Sequence, residues 1–392
     1  MHCQWFNGSG RGSLINGYLL RFAGVVKMKV AGFELYALPF AFGSGGYTTS
    51  YGTRTHLNNL LLVLFTDGGL VGLGEVCRKA GNTIEPTTPA FIQHARGFLQ
   101  QSIGSDPLDP GNARTSLGEL PAAYSNLSCA FETACFDLAA KSAGRPLWTL
   151  LGGMQQESVP VYHTIGQSSP VRMAAEAQLA QRQGCRVLQV KVGATGDIDD
   201  DKACVRNLLE SLGEDTVMLV DANGGWDADS ALSVVSSFAD DRILWEEPCK
   251  TYAENRYVAD NSTAAVILDQ CVTSPAVALQ ACRDGVVHGM GIKCTMQGGL
   301  LAGRLSRDLA IEHGMKLKVD DSWSADVATA ASLHLAMAVP PEQLIASVDM
   351  RPYLDGRISS QGPVCEAYRF APNSLPGLGL VAELDALGPP LA

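Results

Sequence analysis

The sequence lacks any apolar run long enough to cross a membrane. Its longest run, Leu60–Phe65, has the length of a single strand, whereas a membrane-spanning helix needs roughly 18 apolar residues or more. Basic residues are also scarce, since 29 Lys and Arg stand against 40 Asp and Glu and leave a net charge of −11. Phosphate binding needs clustered Lys and Arg. We therefore predict a protein that binds neither membranes nor nucleic acids.

Paired cysteine motifs are absent as well. The cysteines are odd in number, scattered and never in C-x-x-C spacing, at positions 3, 77, 129, 135, 185, 204, 249, 271, 282, 294 and 365. This pattern favours a reducing compartment over a disulfide framework. The first 27 residues have no small-residue cleavage site of a secretory signal. We expect a cytoplasmic protein in which residues 1–27 form a disordered leader or an upstream start and Met28 opens the fold.

The first half of the chain predicts a mixture of strands and helices. Strand-like runs flank a hairpin turn at Asp67-Gly68-Gly69, and helical spacing follows over 90–101 and 128–143. Between the strands lies Phe42–Thr55, rich in Gly, Ser, Thr and Tyr. It is either a mobile, solvent-exposed loop or a lid that contacts substrate, with Tyr47 and Tyr51 as the contacts. Glu132 and Asp137 on the second helix are expected to have structural roles.

Five short apolar runs between residues 188 and 295 give the chain its organisation. Each ends in a residue able to hold a metal or move a proton: Lys191, Asp221, Glu246, Asp269 and Lys293. Their spacing, 23 to 30 residues, is that of repeated β/α units. Eight strands, the first over Val159–Thr164 and the last over Ile345–Val348, would complete a parallel barrel. Because the carboxyl ends of barrel strands meet at one mouth, these five side chains would share one site.

The three acids predict a metal site. Asp221, Glu246 and Asp269 would repel one another at one mouth unless a cation lay among them, and oxygen-only ligands favour Mg²⁺. Lys191 and Lys293 lie on opposite sides of these acids along the chain, so they can face both sides of a flat intermediate. Near a metal and another ammonium the pKa of either lysine should fall, which suits a neutral amine base.

Several motifs resemble those of the enolase superfamily, in particular the muconate-lactonizing-enzyme subgroup of the mandelate racemase/muconate lactonizing enzyme family. They are AFETACFDLAAKSAGRPLWTLLGG over 130–153, DANGGW from Asp221, EEP from Glu246, and GGL from Gly298 after Lys293. The resemblance covers nearly all of the chain from Met28. It implies an α/β fold, with a modified (β/α)7β TIM-type barrel over 154–354 under an α+β amino-terminal capping domain over 28–153. The Gly- and Pro-rich tail over 355–392 is expected to be poor in helix and strand and to pack back on the capping domain.

The resemblance also implies roles for individual residues. Positions matching Asp221, Glu246 and Asp269 hold Mg²⁺, and Lys191 and Lys293 transfer protons at the α-carbon of a small carboxylate substrate through an enediolate. The residues expected to surround and support them are Gln189, Asn223, Glu247 and Gln270. Two of these depart from the family pattern, because Gln189 replaces the supporting lysine of K-x-K and Gln270 replaces a glutamate. The resemblance further suggests a homo-oligomer.

The substrate is left open between several classes. DDSW over 320–323 resembles relatives that act on proline-type amino acids, which makes Asp321 and Trp323 candidate contacts, and Asp349 could pair with a substrate ammonium. We expect a racemase or epimerase of a small amino acid or an N-substituted, proline-like derivative. The alternatives are a dehydratase of a hydroxy acid such as cis-3-hydroxyproline, a cycloisomerase, a phosphate-binding barrel enzyme, or a catalytically silent barrel that acts as a binding protein.

Overall fold

The structure is a computed structural model that describes residues 28–43, 46–49, 52–79, 84–118 and 120–392. The predictions for residues 1–27 and for Tyr51 lie outside these ranges. Residues 28–153, here called the cap, contain β1 (Val30–Leu38), β2 (Tyr47–Thr49), β3 (Gly52–Arg54), β4 (Asn59–Thr66), β5 (Val71–Val76), α1 (Pro89–Gln100), α2 (Pro110–Ser116) and α3 (Ser125–Ser142). The main sheet is antiparallel in the order β1-β4-β5, and β2 and β3 form a separate hairpin. The predicted hairpin at Asp67 is confirmed as the connection between β4 and β5.

Strand β4 contains the longest apolar run because both of its faces are buried. Leu60, Leu62 and Leu64 pack into the core formed with the cap helices. Leu61 and Val63, on the other face, belong to the core that continues into the rest of the protein. A strand covered on both faces reads as a continuous apolar run rather than an alternating one.

The second part of the chain is a parallel barrel. Its elements are β6 (Val159–Pro160), β7 (His163–Ile165), α4 (Pro170–Arg182), β8 (Val187–Lys191), α5 (Ile198–Ser211), β9 (Val217–Asp221), α6 (Ala228–Val235), β10 (Ile243–Glu246), α7 (Tyr252–Asp260), β11 (Val266–Leu268), α8 (Pro275–Asp284), β12 (Gly289–Lys293), α9 (Cys294–Gln297), α10 (Leu300–Glu312), β13 (Lys316–Asp320), α11 (Asp326–Ala336) and β14 (Leu344–Ser347). Strands β7 to β14 lie side by side in chain order. A parallel bridge between Val161 and Ser347 joins the first edge to the last. The last strand, β14, leads into a 3-10 turn over Arg351–Tyr353, so the expected (β/α)7β architecture under a capping domain is confirmed.

One detail of the sequence prediction is wrong. The first barrel strand was expected over Val159–Thr164, but β7 begins at His163, because Val159 and Pro160 pair with Phe370 and Arg369 in a separate sheet. The tail is poor in strand, as expected, and its two three-residue strands, β15 (Val364–Glu366) and β16 (Arg369–Ala371), form a hairpin that pairs antiparallel with β6. The end of the tail reaches the cap, where the backbones of Leu35 and Ala392 are hydrogen-bonded at 2.9 Å.

Buried polar side chains of the cap hold the loop that follows β13. The Glu75 carboxylate accepts hydrogen bonds from the backbone N–H groups of Ala325, at 2.7 Å, and Ala328, at 3.0 Å. These donors lie at the start of α11, where a helix presents unpaired N–H groups and a favourable dipole to an anion. The Asn59 amide donates to both Glu75 and the carbonyl of Trp323. The cap thereby fixes the position of Trp323.

Helix α3 holds the loop that follows β12 in the same way. Ser125 and Ser128 donate hydrogen bonds to the carbonyls of Thr295 and Gly298, each at 2.8 Å. Glu132 accepts one at 2.7 Å from the N–H of Leu301 in the first turn of α10. The structural role expected for Glu132 is therefore an interdomain contact.

Glycines in β5 allow α3 to lie directly on the sheet. A Cβ at position 74 would stand 2.0 Å from the carbonyl oxygen of Ala130, which belongs to rigid helix backbone. We predict that Gly74→Ala destabilises the protein by about 2 to 4 kcal/mol or prevents folding, because the helix and strand must separate. Urea unfolding measures the loss. The control is Gly97→Ala on the exposed face of α1, where an added Cβ meets nothing within 4 Å and should stabilise by up to about 1 kcal/mol. Equal midpoints for the two variants would contradict this account.

Glu132 should make the stability of the protein depend on pH. Burial raises its pKa from 4.5 to about 7, so the folded state holds this proton more tightly than the unfolded chain. The resulting stability is present below pH 4.5 and is lost as pH rises through about 7. Glu132→Gln cannot lose stability in this way. As pH rises from 4.5 to about 7, the free energy of unfolding of the wild type should therefore fall relative to that of the variant. Urea titrations at several pH values, with the exposed Glu210→Gln as control, test the sign. Parallel profiles for wild type and Glu132→Gln would refute it.

Candidate active site

The predicted acids meet at the carboxyl ends of three adjacent strands. Asp221 ends β9, Glu246 ends β10 beside it in register, and Asp269 directly follows β11. Each has at most 2% of its surface exposed. Lys191 ends β8 in register with Asp221, and Lys293 ends β12. The structure therefore brings together all five side chains that sequence spacing placed at one mouth.

Each of the three carboxylates has its own lysine. Lys191 Nζ donates to Asp221 Oδ2 at 2.5 Å, and Lys293 Nζ donates to Asp269 Oδ2 at 2.6 Å. The third ammonium is Lys318, which donates to Glu246 Oε1. Lys318 is fully buried in β13 and also lies 3.0 Å from Asp320 Oδ2 and 3.7 Å from Asp269 Oδ1.

Sequence reasoning missed Lys318 because it considered only the last residue of each strand. The available signal was the alternation of β13, KLKVD, in which Lys318 and Asp320 share one face while Leu317 and Val319 occupy the other. A charged pair at positions i and i+2 of a buried strand needs a partner inside the barrel, since burial of an unpaired ion is costly. Tyr162 completes this cluster, because its hydroxyl donates to Asp320 Oδ2 at 2.8 Å.

The pKa values of the two predicted bases differ from the expectation. Burial lowers the pKa of Lys191 and of Lys293, but the facing charges of Asp221 and Asp269 outweigh it, so both pKa values are raised. Both amines are therefore protonated as long as Asp221 and Asp269 are their charged partners. Burial, with the nearby charge of Asp221, raises the pKa of Glu246 to about 7.

The donor set fits Mg²⁺ in its chemistry. Buried carboxylate oxygens surround the mouth, and among the described residues none donates a hydrogen bond to Asp269 Oδ1 or Asn223 Oδ1. Hard oxygen donors of this kind are the ligands that Mg²⁺ prefers. In the part of the chain that the structure describes, no three His, Cys, Asp or Glu side chains already converge as a metal cage. The carboxylates turn instead toward the three ammonium groups.

The predicted supporting residues lie where the sequence placed them. Gln189 Nε2 donates to Glu246 Oε2 at 2.9 Å, and Asn223 donates its backbone and side-chain N–H groups to Asp221. Glu247 accepts hydrogen bonds from the N–H of Asp269, at 2.5 Å, and from that of Cys271, at 2.9 Å. Gln270 lines the pocket above them.

The loops after these strands take unusual backbone angles. Asn223, Glu247 and Trp323 all have positive φ, at 49°, 40° and 54°. Few residues other than glycine adopt this left-handed region, and such outliers tend to cluster at functional sites. Here each outlier directs a side chain toward the carboxylates or the pocket.

A pocket of about 70 Å³ opens over the lysines and carboxylates. The residues that line it are Tyr47, Tyr162, Gln189, Lys191, Asn223, Gln270, Lys293, Asp320, Asp321, Ser322, Trp323 and Met350. Tyr47, from the β2–β3 hairpin, meets Trp323 edge to face at 5.3 Å, and the Arg54 guanidinium lies 5.2 Å from the Trp323 ring. Tyr47 and Trp323 therefore form one wall of the pocket, and the lid interpretation of Phe42–Thr55 stays a prediction.

The two predicted acidic contacts differ in their surroundings. Asp321 lines the pocket, accepts a hydrogen bond from the Thr295 hydroxyl, and has a pKa raised to about 7 by burial. Asp349 is instead held by Arg351, whose Nε and Nη2 donate to its two oxygens at 2.7 and 2.8 Å. Asp349 is not among the residues that line the pocket. Its charge is paired with Arg351, and a contact with a substrate ammonium stays a prediction.

Fold and site together define a class of protein: a capped parallel barrel with acid–base side chains at the carboxyl ends of its strands, the usual place of catalysis in such barrels. Comparison with known families gives the particular one. Residues 172–386 match the family described as enolase C-terminal domain-like, and residues 46–152 match the mandelate racemase/muconate lactonizing enzyme amino-terminal domain. The chain belongs to the mandelate racemase/muconate lactonizing enzyme family of the enolase superfamily, as its motifs predicted.

Similar proteins carry out several reactions. The chain is 29% identical to the cis-3-hydroxy-L-proline dehydratase of Roseibium aggregatum, over 93% of this chain and 99% of that enzyme. It is 23% identical to the N-succinyl-L-Arg/Lys racemase of Bacillus cereus, over 92% and 97%. A structure of an enolase superfamily member from Roseovarius nubinhibens ISM complexed with magnesium matches with a TM-score of 0.85 and 27% identity, over 93% of this chain and 99% of that one. Within the described ranges, none of the helices has both the length and the apolar character needed to cross a bilayer.

Proposed function

We propose that this protein removes the α-proton of a small carboxylate substrate with Lys191 or Lys293 as base, and that it acts as a racemase or epimerase. The observation that carries the proposal is the placement of the two lysines. They end β8 and β12, four strands apart in an eight-stranded barrel, so they approach the mouth from opposite sides. Both line the same pocket.

Each group of residues has a chemical task in this proposal. Asp221, Glu246 and Asp269 would hold Mg²⁺, which when bound supplies the positive charge that stabilises an enediolate-like substrate. One lysine, after it has lost its own proton, takes the α-proton from one face, and the ammonium of the other returns a proton to the opposite face. Tyr47 and Trp323 close the pocket over the substrate and keep bulk water from it.

For the substrate we propose a small amino acid or an N-substituted, proline-like derivative. A 70 Å³ pocket suits a compact molecule, and the aromatic faces of Tyr47 and Trp323 suit a flat or cationic ring system. Asp321, at the same wall, offers a carboxyl group to a polar substituent. We also propose a cytoplasmic homo-oligomer.

A second candidate is dehydration of a hydroxy acid such as cis-3-hydroxyproline. It is favoured by the Roseibium aggregatum relative, which aligns over nearly its full length. In that reaction the first lysine again removes the α-proton, and a protonated group opposite donates to the departing hydroxyl. Besides the second lysine, Asp321 suits this role, because its raised pKa of about 7 keeps part of it protonated near neutral pH.

Proton exchange distinguishes these reactions. We predict that prolines, N-methylated prolines and hydroxyprolines incubated with the protein and Mg²⁺ in D₂O include a substrate whose α-proton signal disappears in NMR spectra. Exchange with inversion identifies a racemase or epimerase, and exchange with loss of the hydroxyl identifies a dehydratase. Lys191→Ala and Lys293→Ala should each abolish exchange from one enantiomer and reduce overall turnover by at least about 10³-fold.

The control variant is Lys316→Ala. Lys316 is on β13, donates to the carbonyl of Glu342 and does not line the pocket, so its loss should leave exchange unchanged. If a substrate is turned over equally well after both pocket lysines are removed, the two-base mechanism is wrong. Folded protein that binds Mg²⁺ but exchanges no carboxylate would favour a silent barrel.

A further inference from the structure

We propose that Lys318 is a resident counter-cation of the carboxylate cluster, which shares Glu246 and Asp269 with a bound divalent cation and so sets the affinity for that cation. The inference rests on the proposed function, because it assumes that these carboxylates hold a metal. It concerns a residue for which neither the motifs of the sequence nor the two-lysine mechanism provides a role.

Lys318 lies at the centre of the charge cluster rather than at its edge. Its Nζ donates to Glu246 Oε1 and lies 3.7 Å from Asp269 Oδ1, so it reaches two of the three carboxylates proposed for the metal. Lys191 and Lys293 each bond one such carboxylate, and both line the pocket. Lys318 has no exposed surface and does not line the pocket. It is therefore placed to act on the metal ligands and not on substrate.

The charges of the cluster leave room for a cation. Four carboxylates (Asp221, Glu246, Asp269 and Asp320) face three ammonium groups (Lys191, Lys293 and Lys318) within ion-pair distance. A divalent cation and the Lys318 ammonium are attracted to the same oxygens and repel each other. The affinity for the metal therefore depends on how firmly Lys318 holds Glu246 and Asp269.

Asp320 gives Lys318 an alternative partner. Its Oδ2 lies 3.0 Å from Nζ and also accepts a hydrogen bond from the hydroxyl of Tyr162, while its Oδ1 has no hydrogen-bond partner in the described part of the chain. The Tyr162 ring lies 5.6 Å from the same ammonium. Asp320 and the Tyr162 ring would therefore still stabilise the Lys318 ammonium if a metal bound Glu246 and Asp269.

Two substitutions with opposite expected signs test this role by direct binding of Mn²⁺, measured by calorimetry without substrate. Lys318→Met keeps the length of the side chain and removes its charge, so the dissociation constant for Mn²⁺ should fall at least about 10-fold. The rise in melting temperature caused by Mg²⁺ should also be larger than in the wild type. Asp320→Asn leaves the ammonium with Glu246 and Asp269 alone, so Mn²⁺ binding should weaken about threefold or more.

Compensation provides a control for packing effects. Gln189 bonds the other oxygen of Glu246, so Gln189→Lys added to Lys318→Met restores a charge at the same carboxylate and should return the affinity toward the wild-type value. Lys316→Met makes the same substitution two residues away on β13, outside the cluster, and should change nothing.

The outcomes separate the two proposals. A wild-type protein that binds no Mn²⁺ would refute the proposed metal site and with it the role of Lys318. If the wild type binds Mn²⁺ but Lys318→Met binds it equally or more weakly, the resident-cation role alone is wrong. If Lys318→Met does not fold, Asp320→Asn still decides, because unchanged or tighter binding in that variant overturns the inference.

Discussion

The structure depends on one constraint, which is that buried carboxylates at the mouth of the barrel must be neutralised from within the protein. These side chains are almost completely buried, and a buried ion without a partner would cost several kcal/mol or more. Three lysines, each bonded to a different carboxylate, provide most of the compensating charge: Lys191, Lys293 and Lys318. The charged residues of the cluster come from strands β8 to β13 and the residue that follows β11. They form ion pairs only if these strands pair in the observed register.

The cap is part of this arrangement and not a separate cover. Its buried acids, Glu75 and Glu132, hold the backbone N–H groups that begin α11 and α10. Those helices follow β13 and β12, so the loops that carry Asp321 and Trp323 are fixed from the cap side. Gly74 brings α3 close enough to the sheet for this contact to form. Packing in the cap is thereby linked to the geometry of the pocket.

Sequence reasoning recovered the features that follow from periodicity and missed those that follow from pairing. The β/α spacing placed Lys191, Asp221 and Lys293 at strand ends, and the structure agrees. Lys318 lies inside a strand, where only its partners on neighbouring strands reveal that it belongs to the cluster. The spacing of residues also did not indicate that Asp349, proposed as a partner for a substrate ammonium, is bonded through both of its oxygens to the guanidinium of Arg351. Tertiary partners of this kind cannot be read from the spacing of residues along a chain.

The Glu246 carboxylate joins these observations. The family resemblance places a lysine where this chain has Gln189, which on its own would leave one carboxylate of the cluster without a positive partner. In the structure Gln189 still bonds one oxygen of Glu246, and Lys318 bonds the other from the opposite side of the barrel. Glu246 therefore has a positive partner on β13, and this partner does not line the pocket. This arrangement leaves an uncharged amide beside Lys191 at the pocket wall. The pocket wall beside Lys191 is therefore less positive than a K-x-K strand would make it, whereas Glu246, deeper in the barrel, keeps an ammonium partner.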